Sequence, residues 1–571
     1  MPNRMYPLVK TTLLCGIALA VVPTQAFAQQ IASDWAPMDD AELADGASRA
    51  AVSEESTGIA RERPRLDVTP YIEVQQVLFA DLDGGRDILT YTTVSAGVDA
   101  AISTRRAEGQ VSLRYERVIG YDNQVESQDS VSGLARGSVA VTRNLSVEAG
   151  ALATRSSLDG RGPNRGSFQP FSDNVTQVYS VYAGPTFTAQ AGELGVNAGY
   201  RVGYTKVSEE SQSALPPGQQ PLDIFDDSVS HAANVSVGMQ PGTLPFGWTA
   251  SAGYNREDSS QLDSRFEDLY GRLDVMVPVT QTLAVVGGVG YEKVKASERD
   301  ALRDAGGNPI VAPGGRLVTD PNSPRLVAYE SDGLIWDAGV LWRPSRRTSL
   351  ELRYGHRYGS DTYTGSFSYV PNERMGVNIS VYDSVQGFGG AINNALSDLP
   401  TSFTSNRNAV TGDLNSCVFA AAGGFCLNNA LRTASSATFR SRGVQASLSE
   451  TVGPWTSGLA IGYDRRKFLA SAVGGQGQIS GMIDENYYLS GYLGRQLDQR
   501  SSFGTNVYAN LNDPGQVGAP DSYGFGANAS YNRNIWRGLQ ATAAVGIDTY
   551  TVEDFEEDVS ASALLGLRYS F

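Results

Sequence analysis

The sequence predicts an all-β protein: a transmembrane, antiparallel, up-and-down β-barrel of about 22 strands, with short turns at one end and long loops at the other. Three observations predict it. Alternating apolar and polar residues recur in segments of about 10–14 residues from Arg65 to the last residue. The links between segments are alternately short and often long. The composition holds 62 Gly and 27 Tyr against 3 Cys and 2 His, which suits many strands and tight turns better than a soluble enzyme.

The clearest segments show two faces. Leu334, Trp336, Ala338, Val340 and Trp342 alternate with Ile335, Asp337, Gly339, Leu341 and Arg343. Leu350, Leu352, Tyr354, His356 and Tyr358 alternate with Ser349, Glu351, Arg353, Gly355 and Arg357. The segments 523–532 and 539–548 repeat the pattern. A soluble sandwich also alternates, but it concentrates aromatics mid-strand. Here Trp455 and Tyr463 bracket Leu459 and Ile461, and Tyr523 and Tyr531 bracket Phe525. Aromatics flanking an apolar band match the two interfaces of a bilayer.

The strands fall at 67–80, 87–102, 108–121, 130–142, 145–156, 174–188, 193–207, 228–240, 246–258, 264–278 and 283–295. They continue at 327–343, 348–359, 361–370, 374–385, 437–451, 455–469, 483–496, 500–512, 522–533, 539–550 and 559–571. Both ends of this even set lie on the short-turn side. Closure leaves no sheet edge, which a membrane requires. The longer links are 157–173, 208–227, 296–326, 386–436, 470–482 and 513–521.

Bulk properties agree. Hydrophobic residues make up 41% of the chain, and mean hydropathy is −0.23. No stretch after the amino terminus reaches the ~18 apolar residues of a spanning helix. The net charge of −16 argues against a nucleic-acid partner. At the amino terminus, Arg4 and Lys10 precede a short apolar run, and "AFA" precedes Gln29. Residues 1–28 read as a secretory signal peptide cut between Ala28 and Gln29. Residues 29–63 read as a flexible periplasmic lead-in, and 64–571 as the barrel.

The closing segment, "ASALLGLRYSF", places Leu565, Leu567, Tyr569 and Phe571 on one face. With this ending and the signal peptide, the chain resembles the β-barrels of Gram-negative outer membranes over about 65–571. The resemblance implies an outer-membrane location and contact with lipid and lipopolysaccharide. It also implies that the barrel-assembly machinery recognises Leu565, Leu567, Tyr569 and Phe571, with the last strand pairing with 67–80. The stretch "SLELRYGHRYGSDTYTGSFSYVPNERMGVNISVYDSV" is similar to barrels associated with exopolysaccharide and exosortase systems. Some of those are classed with a preprotein-translocase accessory subunit. That resemblance brings no active residues.

A barrel this wide needs a filled lumen. TonB-dependent transporters of this strand number carry a separate plug domain, and 29–63 is too short for one. The longest link, 386–436, is the best filler. It is rich in Gly, Ala, Ser and Asn and holds Cys417 and Cys426. In an exported protein that spacing reads as a disulfide rather than a zinc site. Folded inward, the link narrows the pore; folded outward, it is a cross-linked surface loop, and the sequence leaves both open.

The lumen face carries Arg114, Glu116, Arg201, Arg272, Asp274, Asp337, Glu351, Arg353, Arg357, Asp464 and Arg466. Mixed charges can set a transverse field across a pore, or pair between strands to solvate the interior. The long loops are acidic, as at Glu209, Glu210, Asp223, Asp226 and Asp227, and read as solvated. No calcium-site spacing, metal cluster, cofactor motif or catalytic constellation emerges. His231 and His356 lack the following Ser of an outer-membrane lipase and read as interfacial residues on the apolar face. The functional expectation is therefore a non-enzymatic diffusion pore or export conduit for small polar solutes or polysaccharide. The alternative is a non-transporting structural or assembly-associated barrel linked to exopolysaccharide export.

Overall fold

The computed structural model describes residues 65–571 apart from 83–87, 122–124, 126, 158–174, 209–222, 313–315, 404–405, 416, 421–422, 473, 477–478, 516–519 and 555–556. The expected signal peptide, its Ala28–Gln29 cleavage point, the lead-in and the acidic Glu209 and Glu210 lie outside the described residues.

Twenty-two strands form one sheet. The first half comprises β1 (Arg65–Asp81), β2 (Ile88–Ser103), β3 (Ala107–Gly120), β4 (Asp129–Ala140), β5 (Leu145–Ser157), β6 (Val175–Ala191), β7 (Leu194–Val207), β8 (Asp227–Met239), β9 (Gly247–Ser259), β10 (Arg265–Pro278) and β11 (Leu283–Glu298). There follow β12 (Leu326–Ser345), β13 (Thr348–Arg357), β14 (Ser360–Asn372) and β15 (Met375–Gln386). The long link then contributes a helix, α1 (Phe388–Ser397), and a hairpin, β16 (Cys417–Ala420) with β17 (Gly423–Cys426). The sheet resumes with β18 (Thr438–Val452), β19 (Trp455–Leu469), β20 (Ile483–Gln496), β21 (Ser501–Asp513), β22 (Ser522–Trp536), β23 (Leu539–Val552) and β24 (Asp558–Ser570).

Every barrel strand pairs antiparallel with its neighbour, and β24 pairs with β1 from Tyr71↔Ser570 to Asp81↔Ser560. The ring is closed, so no row of backbone groups is left for lipid to meet. All 22 strands lie within three residues of the ranges expected from alternation.

The outer face is apolar. Leu565, Leu567, Tyr569 and Phe571 are exposed on it, as are Ile72, Val74, Leu334, Trp336 and Trp342. His356 pairs across from Trp336, and His231 from Val202, so both histidines share this face. One expected outward residue turns the other way. Tyr358 follows the end of β13 at φ 55°, which reverses the chain. Its ring is buried, with the Arg357 and Arg440 guanidiniums 4.6 and 5.1 Å from its centroid.

Three of the short turns are built alike. Thr104, Thr142 and Thr280 each accept, through Oγ1, the backbone N–H groups two and three residues on, at 2.8–3.3 Å. A threonine hydroxyl thus satisfies the donors that a tight turn exposes.

Candidate functional site: a lumen crossed by its own loop

The described residues of the long link 387–436 fold inward. The helix α1 packs on the lumen side of β5–β8, nearly opposite in the ring to β15, where the link departs. Phe388, Ala391, Ile392 and Leu396 form its buried face. They join Leu152, Val178 and Val207 of the wall and Phe439 and Phe468 of β18 and β19 in one core. The link is a strap between opposite walls, held by the same apolar burial that builds a soluble core.

Polar contacts fix it. Glu257 on β9 receives the backbone N–H groups of Gly389 and Gly390 at 3.0 Å each, and the Ser228 hydroxyl at 2.9 Å. A carboxylate at a helix amino terminus meets unpaired donors and the positive end of the dipole. Asn393, almost fully buried, accepts from Ser180 Oγ at 3.1 Å and donates to Ser230 Oγ at 3.0 Å. Arg136 donates to the Leu399 carbonyl at 2.7 Å. Farther along, Arg407 donates to the Ser132 carbonyl and the Gly412 carbonyl. Asp413 takes a bidentate grip from Arg155. Cys417 and Cys426 are joined by a disulfide that closes the β16–β17 hairpin, which lies against β15, β18 and β19. On the return, Arg432 donates to Asp484 at 2.6 Å.

The structure brings most of the eleven charged residues expected on the lumen face into ion pairs. Arg114 bonds Glu73 and Glu116. Arg353 contacts Glu351, Asp274 and Asp337 at 2.6–3.0 Å, and Arg272 joins the same two aspartates. Arg357 pairs with Glu292. Arg466 holds Asp484 at 2.7 Å. Asp464, fully buried, accepts from Tyr382 and Ser441. Arg201 bonds Asn394 of α1 at 2.8 Å.

The wall at β20–β22 differs. Asn486, Ser490, Asn506, Tyr508, Asn510 and Asn528 face the lumen there, and with Asn408, Asn415 and Asn428 of the strap they line a cavity of about 80 Å³. Asn415 donates to Asn506 at 2.9 Å, and Asn506 to Asn528 at 3.1 Å. Two tyrosine rings lie flat against this wall because glycine faces each. A Cβ at Gly462 would strike Tyr488, and one at Gly526 would strike Tyr508. The signal for this wall was present as Asn506, Asn510 and Asn512, then Asn528, Asn532 and Asn534, all at even spacing. Charge does not mark this wall.

Asp223 and Asp226 are not solvated as expected. Asp223 is buried and ties four segments together. It accepts from Gln261 at 2.7 Å, the Leu317 amide at 2.8 Å and Gln476 at 3.0 Å, and also from Ser436. Burial pushes its carboxyl up to about 6, against the lowering effect of those donors. Asp226 lies 3.4 Å from Arg316, a residue of the neighbouring long loop. The long loops thus pair with one another.

A closed ring of 22 antiparallel strands with an apolar exterior is a transmembrane β-barrel of the outer-membrane type. The protein is an outer-membrane barrel. No protein-family model matches the sequence, and no curated protein does. Among solved structures, it is similar to the ferric-catecholate import receptor Fiu from E. coli K12, with 10% identity and TM-score 0.44, covering 89% of this chain and 82% of that one. It is similar to the FrpB iron transporter from Neisseria meningitidis, with 10% identity and TM-score 0.42, covering 88% and 83%. A loop-deletion mutant of OmpT, an outer membrane protein of Vibrio cholerae, shows 9% identity and TM-score 0.28, covering 89% and 99%. Likeness at this level carries nothing about solute or mechanism.

Proposed function

We propose that the chain is a non-enzymatic outer-membrane conduit that passes small polar solutes through a lumen narrowed by its own strap. The observation that carries the reading is the inward course of 387–436, pinned to β5–β8 on one side and to β18–β21 on the other. A 22-stranded barrel left open would leak, so narrowing from within fits a selective pore. Selectivity comes from what lines the remaining space. Charges on the wall are largely neutralised by partners, so solutes meet a polar surface with little net pull on ions. We read the two histidines as interfacial residues: His231 bonds Tyr200 at 2.8 Å, and His356 sits 3.6 Å from Asp361, both on the outer face. The exterior face of β24 is the proposed contact for the assembly machinery, and the outer wall for lipid and lipopolysaccharide.

Planar-bilayer recording tests the reading. The purified barrel gives small discrete conductance steps, and removal of 390–430 gives larger ones. A barrel that conducts in neither form overturns the proposal.

A further inference from the structure

We infer that the cavity between the strap and β20–β22 is a binding site for one unit of a neutral, hydroxyl-rich solute, a saccharide. The inference rests on the conduit reading and names its solute class.

Four features point there. The first is size. A cavity of about 80 Å³ accommodates on the order of half a dozen waters at roughly 10–15 Å³ each. A hexose displaces a similar number.

The second is chemistry. Asn486, Asn506, Asn510 and Asn528 present amides, each able to donate and accept. A hydroxyl also does both, so amides match a ring of hydroxyls without fixing their orientation. Fixed charge is absent from the balance. Asp413 and Arg432 border the cavity, but Arg155 holds the first and Asp484 the second.

The third is the pair of tyrosine rings. Tyr488 and Tyr508 are seated against glycines, with their hydroxyls engaged by Gln445 and Asp548. Tyr508, half-buried, offers an apolar face to the C–H face of a sugar, while Tyr488 is buried against Cys417 and Phe419 and stiffens the wall.

The fourth is unfinished bonding. Asn486 is 1% exposed, and its Oδ1 has no hydrogen-bond partner among the described residues. Arg432 Nε, on the strap, has none either. Buried polar atoms in a closed structure normally find partners. An unsatisfied acceptor and an unsatisfied donor on two residues that line the cavity mark where a hydroxyl completes the set once the neighbouring side chains shift to admit it. The charged wall at β10–β13 offers no such vacancy in its arginines, whose guanidiniums are spent on carboxylates.

The test uses the full barrel in a sugar-free detergent, titrated calorimetrically with maltotriose and with a galacturonic acid trimer. Saturable binding of maltotriose, at least tenfold tighter than the anionic trimer, is the expected result. Asn486→Leu keeps the shape of the side chain and removes the unbonded oxygen. It should leave the empty barrel at least as resistant to heat, because an unsatisfied buried group is lost, while maltotriose affinity falls tenfold or more. Asn510→Ala, with its smaller change, supplies a second reading on the same wall and should lower affinity several-fold. Equal affinity for the anionic trimer, or unchanged affinity in both variants, overturns the site. No maltotriose binding by a barrel that still conducts overturns the site and leaves the conduit standing. No binding and no conductance removes both.

Discussion

The two lumen walls solve the same problem in opposite ways. At β10–β13, polar side chains are charged and consume one another: Arg353 alone engages Glu351, Asp274 and Asp337. At β20–β22, beyond Asp484 with its two arginines, they are mostly neutral amides, loosely chained from Asn415 to Asn506 to Asn528. A charge taken out of water must be paired, so a charged wall tends toward a closed, rigid lattice. An amide costs less to leave partly unpaired. The amide wall is therefore the one that can hold an open cavity. Stability in this barrel is to be sought at β10–β13, and passage at β20–β22.

The largest effect should come from erasing the boundary between the walls. Deleting 390–430 joins them in one lumen, and single-channel conductance should rise by roughly fivefold or more. An unchanged conductance would mean that the strap does not limit the passage.

The charged wall should break next. Arg353→Met leaves the buried Glu351 without its cation and the half-buried Asp274 and Asp337 with Arg272 alone, and should cost about 3–5 kcal/mol. Urea unfolding, followed by the heat-modifiable gel shift, reads this loss. Maltotriose affinity should stay within twofold, since the two walls are separate.

A smaller effect is expected at the strap's anchor. Glu257→Ala leaves the Gly389 and Gly390 donors without an acceptor, costing about 1–3 kcal/mol. The barrel should remain folded while open-channel current noise increases. Silent current would say that apolar packing alone holds α1.

The smallest effect is a pH dependence in the outer loops. The folded carboxyl of Asp223 titrates near 6, above its ordinary 3.8. Between those values the folded loops bind more protons than the unfolded ones. Their stability should therefore fall as pH rises through this window and level off above it. Amide exchange at Leu317, corrected for intrinsic rate, should be slower at pH 5 than at pH 7. Asp223→Asn should flatten the difference.

The barrel was legible in the sequence because lipid enforces a strict rule. Every second residue of each strand faces hydrocarbon, so Leu565, Leu567 and Tyr569 could be assigned a face from spacing alone. The inward charges followed by the same alternation, though their partners did not. Arg353 meets Asp274 from a strand three places away, and local pairing rules do not reach that far. The strap was illegible for another reason. Gly-, Ser- and Asn-rich text suits an exposed loop and a lumen filler equally well, since both contact water. The one local signal was "FGGAINNALS", where Phe388, Ala391, Ile392 and Leu396 switch the period from two to that of a helix. An apolar helical stripe inside a loop needs a wall to cover it. Tyr358 was misplaced because alternation says nothing once a turn reverses the chain.

The position of α1 inside the barrel, against β6, is open to a direct test. Cysteines at Ser180 and Asn393, whose side chains now share a 3.1 Å hydrogen bond, test it in native outer membranes. The pair should cross-link under mild oxidant, and Asn393→Cys alone should resist a membrane-impermeant maleimide on whole cells. Absence of the cross-link, with rapid labelling of that single cysteine from outside, would contradict it.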